Sequence, residues 1–303
     1  MHQISKWMGS LALVAGLGFA GAAHATWTFK GSGARDTNGD PLAKTSYTPD
    51  ASFTGDPSLN ISGVYARNGS GNVGFASGAS WASKALTYYD PNGLGMSSDG
   101  NLAPNHAIDN NGNTEGILLS FGSSVVLSSI GIGYKSGDAD ISVFRYTGAS
   151  APASLPGSSV GSFVTDALGT ANSGWDLVGN YANLAVDNSN PYNMINGCTN
   201  PSGTAAVCSS SSKGSSWWLI TAYNTAFGTG ANLTQGDDYF KVYAVAGSKC
   251  TAGGTACGGT TTTTGGNVPE PGSLALVIAA LAGTWAARRK GGRAAAMPAL
   301  AAA

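Results

Sequence analysis

Between Thr26 and Cys250 the chain has one glutamate, Glu115, and fills the stretch instead with Gly, Ser, Thr and Asn. Such a composition works against helices. Each Gly in a helix interior costs about 1 kcal/mol relative to Ala, and Ser, Asn and Thr offer the backbone competing hydrogen bonds. Disorder is the other outcome open to a polar, Gly-rich chain, but aromatics at strand-like spacing argue for a packed core.

Short apolar or alternating runs recur between turn-rich stretches, at 26–29, 61–65, 73–76, 85–89, 116–121, 125–134, 140–146, 175–181, 217–223 and 239–245. The run Ile141 to Tyr146 has one apolar and one partly polar face, as in a half-buried strand. Trp217-Trp218-Leu219-Ile220 is apolar on both faces and predicts a central strand packed on two sides. The pairs Asn92-Gly93, Asn111-Gly112, Gly137-Asp138 and Gly236-Asp237 supply turns between runs. About ten short strands so punctuated predict an all-β fold, an antiparallel β-sandwich of jelly-roll type, with few or no helices; a single barrel is the alternative. Ala149 to Gly161, with two prolines, reads as a long crossover between the halves of the sandwich.

In residues 26–250, ten Lys and Arg face fifteen Asp and Glu. The bases are scattered singly, so the electrostatic footprint of a nucleic-acid-binding protein is missing. The four cysteines, Cys198, Cys208, Cys250 and Cys257, form an even set. Local pairs, Cys198–Cys208 and Cys250–Cys257, would each close a Gly/Ser/Thr/Asn loop that has little else to order it. Neither pair has the close spacing typical of zinc sites.

Both ends carry targeting features. Lys6, the apolar stretch Leu11 to Ala20 and the A-x-A pattern Ala23-His24-Ala25 form a secretory signal, cleaved after Ala25 by signal peptidase. At the other end, Val268, Pro269, Glu270 and Pro271 precede a mostly apolar run, Ser273 to Ala287, closed by Arg288, Arg289 and Lys290. The run is short for a permanent span, which needs about twenty residues, and the basic cluster favours the cytoplasmic side. This order of motif, apolar run and basic stop resembles the PEP-CTERM sorting signal of Gram-negative bacteria. The resemblance implies an exosortase, a membrane protease-transpeptidase that cuts near the motif and releases or re-anchors the protein. The organisation expected is a signal peptide at 1–25, a β-sandwich at 26–250, a Thr/Gly-rich stalk at 251–267, the sorting signal with its transmembrane run at 268–290, and a cytoplasmic tail at 291–303.

A second resemblance lies in the body. Asn105 to Asn110, Gly116 to Phe121, Ile132 to Tyr134, Gly137 to Ile141, Trp217 to Ile220 and Asp237 to Val242 are similar to a recurring block of proteobacterial exosortase-dependent surface proteins. It implies a β-rich surface domain and supplies no catalytic residue.

Candidate chemistry is sparse. After signal cleavage one histidine, His106, remains, which limits acid–base catalysis near neutral pH; it reads as a brace for the Asn105-to-Asp109 turn. Gly157-Ser158-Ser159-Val160-Gly161 matches the hydrolase pattern G-x-S-x-G, but no histidine follows Ser159 and the run reads as a proline-flanked loop. Asp109, Asn111, Asn113 and Glu115 alternate through a turn, with Asp138 and Asp140 one strand later. If the two loops meet, their oxygens suit a hard cation such as Ca²⁺; the plain alternative is that Asn, Asp and Gly are turn formers. Trp81, Tyr88, Tyr89, Trp175, Trp217 and Trp218 are candidates for stacking on sugar rings, Trp81 the most exposed of them, although core packing is the ordinary use of such residues.

The reading is a non-enzymatic exported surface or matrix protein, with no catalytic residue assigned, sorted by exosortase and contacting polysaccharide. The alternative is a secreted carbohydrate-active hydrolase that uses loop carboxylates with Ca²⁺.

Overall fold

The computed structural model describes residues 24–29, 46, 50–51, 56–98, 106–148, 150–169, 174–187, 193–199, 207–209 and 212–250. All fall within 1–259, the first of two units into which the chain divides. The stalk, the sorting segment 268–290 with its basic stop, the tail, Ala23 and Cys257 lie outside the described residues.

Strands dominate, as the composition requires. In chain order they are β1 (His24–Thr28), β2 (Asp50–Ala51), β3 (Leu59–Arg67), β4 (Ala82–Lys84), β5 (Thr87–Tyr89), β6 (Gly93–Gly95), β7 (Ile108–Asp109) and β8 (Asn113–Gly137). There follow β9 (Ile141–Tyr146), the helix α1 (Val160–Leu168), β10 (Trp175–Tyr181), β11 (Asn193–Met194), β12 (Cys198–Thr199), β13 (Val207–Cys208), β14 (Ser215–Ala222) and β15 (Asp238–Lys249).

The pairing is antiparallel throughout these strands, and β8 organises it. Its first half pairs with β3 on one side and β14 on the other; β4, β9 and β10 extend that sheet. Its second half pairs with β15 and β11, and β1 and β2 extend the second sheet beyond β15. The start of β15 also takes β6 and β7, and β5 adds to β6. The switch falls at Gly122 to Val125. Val125 pairs with both Ser215 and Lys249, while Gly122 N donates to Ser58 O at 2.8 Å. A Cβ on Gly122 would meet Ser58 Oγ at 2.7 Å, so the strand passes this point without a side chain. The runs 116–121 and 125–134 are therefore one strand, not two.

The sheets enclose one core. Ile61, Ile117, Leu119, Val143, Trp218 and Ile220 of the first sheet join Trp27, Ile130, Ile132, Val242 and Val245 of the second. Trp27 and Phe121 meet edge to face at 4.9 Å. Because strand side chains alternate, the first sheet presents a second apolar face with Val64, Phe144 and Leu219. The helix α1 covers it with Val160, Phe163 and Ala167, so the two-faced run in β14 is buried on both sides as its pattern demands. Ser159 caps α1, accepting from Ser162 N at 3.4 Å.

Three expectations need correction. Residues 149–161 do not cross between halves: with α1 they join β9 to β10, neighbours in one sheet, because the exposed apolar face needs a cover. The run 73–76 is not a strand; Gly71 and Gly74 take positive φ and Val73 is 67% exposed. Trp81 is 1% exposed, its ring against Phe163 at 5.4 Å, since a segment distant in sequence folds over it. The disulfide Cys198–Cys208 is formed and joins β12 to β13; Cys250 is also disulfide-bonded. Among the described residues no helix is long and apolar enough to cross a membrane.

Candidate functional site

The polar groups of the sandwich concentrate at the end where β7 turns into β8, β8 into β9, and the loop after β14 into β15. Each turn has a local cause. Asp109 Oδ1 accepts from Asn111 N at 2.9 Å, and Gly112 takes φ +79°, an Asx-type reversal. Gly137 takes φ +69°, and a Cβ there would lie 2.5 Å from Asp237 O. That reversal sets Asp138 beside Asp238: Asp138 N donates to Asp237 O, and Tyr239 N to Asp138 O, both at 3.1 Å.

The result is a group of three carboxyls, Asp138, Asp140 and Asp238, with one oxygen of each within 4.8 Å of the others. Asp140 and Asp238 have no exposed surface. Asp140 Oδ1 accepts from Asn183 N at 2.7 Å and its Oδ2 from Thr234 N at 2.8 Å. Asp238 Oδ1 accepts from Asp140 N at 2.6 Å, and its Oδ2 from Asn110 Nδ2. Asp138 Oδ1 accepts from Ala139 N at 2.7 Å. Burial pushes the Asp238 carboxyl up to about 9, and the Asp140, Asp138 and Asp237 charges push the same way against the Asp140 N–H bond. Burial also raises Asp140 against two backbone donors, and it raises the nearby Tyr223 hydroxyl, with Asp140 and Asp238 adding to the effect. At neutral pH the group therefore keeps a proton on Asp238. Chemically it is a set of oxygen donors of the kind that suits a proton or a hard cation.

Of the six ligands proposed from the sequence, Asp138 and Asp140 come together here with Asp238, which the sequence reading does not name; the side chains of the others make contacts of their own. Glu115, 1% exposed, accepts from Ser98 N at 2.5 Å and Asp109 N at 3.3 Å. Asn113 Nδ2 donates to Ser98 Oγ at 2.8 Å. Asn111 Nδ2 donates to Tyr239 OH at 2.9 Å, and its Oδ1 accepts from Asn72 Nδ2 at 2.9 Å. These four side chains fasten turns to strands.

The residue that joins the two groups is Asn110, which ligand-spacing arguments pass over. Nδ2 donates to Tyr223 O at 2.9 Å as well as to Asp238, while Oδ1 accepts from Gly236 N at 2.9 Å and Asp238 N at 3.1 Å. Behind it, Asn68 Nδ2 donates to Asn110 O at 2.7 Å. Thr114 Oγ1 donates to Asn68 Oδ1 at 2.6 Å, and Asn224 Nδ2 to Thr114 Oγ1 at 2.7 Å. This amide network is fully or nearly buried.

His106 stacks on Tyr89, ring centroids 5.5 Å apart, in keeping with a bracing role. Lys241 Nζ lies between the Tyr89 and Tyr134 rings, 4.6 and 4.2 Å from their centroids, and burial pulls its amine down to about 8. Ser159 opens a helix rather than sitting within a loop, but its hydroxyl serves as the cap.

Residues 267–290 match the family model described as the PEP-CTERM protein-sorting motif. No curated protein and no solved structure matches the chain.

Proposed function

We propose that the sandwich is a non-enzymatic domain, exported and processed through its C-terminal sorting motif and displayed at the cell surface or in the extracellular matrix, where it contacts polysaccharide. The observation that carries this reading is the motif at 267–290, which implies export, membrane-associated sorting and processing by exosortase. Signal peptidase acts at the other end, after Ala25.

Two features support the non-enzymatic part. A glycosidase needs two carboxyls flanking a cleft that admits substrate, whereas Asp140 and Asp238 are fully buried and accept from backbone amides and Asn110. His106 is stacked on Tyr89, and Ser159 is taken up in capping α1. Calcium enters the reading as a structural ion that Asp138, Asp140 and Asp238 would hold in place of their proton.

Deleting Pro269 to Pro271 tests the sorting step. The deletion is expected to leave an unprocessed precursor in the membrane fraction; normal processing and release would overturn the reading.

A further inference from the structure

We propose that the cavity between α1 and the adjoining ends of β9 and β10 binds one neutral pyranose ring, an inference that rests on the polysaccharide contact proposed above and gives it a site. The segment joining β9 to β10 lays α1 across the outer face of the first sheet and leaves a solvent-open cavity of about 350 Å³, near the small end of ligand sites. Its apolar lining includes Tyr146, Phe163 and Trp175 beside Leu155, with the Trp175 ring 5.4 Å from Tyr146 and 5.8 Å from Phe163. Its polar lining includes Ser158, Ser162 and Asp166.

These groups are held in place. Asp166 Oδ2 accepts from Trp175 N at 2.6 Å, and a Cβ on Gly174 would come within 2.1 Å of that oxygen, so only glycine admits the carboxylate there. Ser158 Oγ donates to Leu155 O at 2.6 Å, which leaves its oxygen as an acceptor. Ser162 is exposed on the first turn of α1.

A pyranose offers an apolar C–H face and a rim of hydroxyls that both donate and accept. An aromatic lining with hydroxyl and carboxylate partners matches both halves of that description. A wholly apolar ligand would strip water from Asp166 and the serines without replacing their hydrogen bonds. Charge selects among sugars. Lys and Arg are missing from the described lining residues and Asp166 is an acid, so a uronate or a phosphorylated sugar meets repulsion.

The test uses the processed, secreted protein titrated with methyl glycosides of glucose, galactose and N-acetylglucosamine, and with methyl glucuronide as the anionic control. Saturation-transfer NMR and the Trp175 indole resonance, assigned with Trp175→Phe, are the readouts. At least one neutral glycoside is expected to bind with a dissociation constant on the order of 1–10 mM, as suits one ring, and methyl glucuronide is not. Ser162→Tyr, at an exposed helix position, should fill the cavity and weaken binding at least tenfold, while Asp166→Asn should let the glucuronide bind. Failure of every neutral glycoside at about 50 mM, a concentration well above that range, overturns the proposal, as does unchanged affinity in Ser162→Tyr. Co-sedimentation with matrix polysaccharide separates the two readings. If the wild type and Ser162→Tyr sediment equally, the polysaccharide contact stands and this cavity is not its site. If glycosides bind but the protein does not sediment, the cavity stands and the matrix contact fails.

Discussion

Replacing Asn110 by Ala removes four side-chain hydrogen bonds, to Tyr223 O, Gly236 N, Asp238 N and the Asp238 carboxyl. A typical bond contributes about 1 kcal/mol net, and a buried partner left unsatisfied costs about 1–3 kcal/mol. Gly236 is only half-buried, so water relieves part of the loss there, whereas Asp238 is sealed. Together these give about 4 kcal/mol, a large share of the 5–15 kcal/mol by which domains are ordinarily stable. Asn110→Asp sharpens the prediction. It keeps the oxygen that accepts from Gly236 and Asp238, but sets a fourth carboxyl against the cluster in place of a donor. Its cost should be smaller near pH 4, where a protonated carboxyl still donates, and larger near pH 8, where an ionised carboxylate no longer donates and is buried without solvation. Urea unfolding followed by tryptophan fluorescence, at both pH values and with unchanged m, gives the comparison. A loss below about 1 kcal/mol for Asn110→Ala, or a pH-independent Asn110→Asp, would refute the view that this amide holds the turns together.

Two further predictions concern the same end, and a third the Cys198–Cys208 disulfide. Asp238, raised from 3.8 to about 9 in the folded chain, keeps a proton that the unfolded chain releases. Its contribution is therefore complete below the unfolded value and is lost as pH rises through that window, by at most about 1.4 kcal/mol per unit. The stability difference between wild type and Asp238→Asn, measured from pH 4 to 9, should fall with pH; parallel curves would contradict the assignment. Ca²⁺ competing with that proton should raise the melting temperature more at pH 8 than at pH 5, and Asp140→Asn should abolish the rise; no shift at either pH would leave the proton as the neutralising species. Replacing Cys198 and Cys208 by Ser opens a loop of sequence separation 10, worth about 3 kcal/mol by loop entropy; equilibrium unfolding of the double variant against wild type measures it, and an unchanged midpoint would refute it.

Where the chain alternates strictly, its sequence was readable. The two-faced run of β14 announces a strand packed on both sides, and Asn111-Gly112 and Gly137-Asp138 mark reversals that occur; the run of β9 announces a strand, but the half-polar face it suggests is buried, Ser142 included. The unity of β8 was not readable, because Gly122-Ser123-Ser124 carries turn composition; Ser58 and Cys250, far off in sequence, hold the backbone extended there. The helix α1 was hidden for a related reason. Gly161, Val160, Val164 and Thr165 are poor helix formers, and it is the packing of Phe163 against Phe144, Trp81, Trp175 and Phe227 that decides the outcome. Of the candidate site, Asp138 and Asp140 were visible as a local pair. Asp238 stands 98 residues from Asp140, and only the register of β15 on β8 brings it in. Spacing suggested one cation shared by Asp109, Asn111, Asn113, Glu115, Asp138 and Asp140; spacing does not show that Glu115 and Asn113 also bond to Ser98, or Asn111 to Tyr239.

The register of β1 has a bearing on the order of events during export. Ala25 sits opposite Gly247 and is 1% exposed, so a peptidase cannot reach the bond after it once β1 has docked. The strand that accepts it is β15, the last of the described strands; its other partner, β2, pairs with Trp27 and Thr28. Nothing can seat Ala25 in the sheet until Asp238 to Lys249 has followed some two hundred residues across the membrane (chain closure over such a separation being slow as well as late). If cleavage follows Ala25, as the A-x-A pattern implies, that bond stays open until β15 arrives and closes only when the domain does. Under the expectation that the leader is cut after Ala25, a failure to cut in that interval would bury the uncut site, so leader removal would have to precede completion of the sandwich through the pairing of β1 with β15.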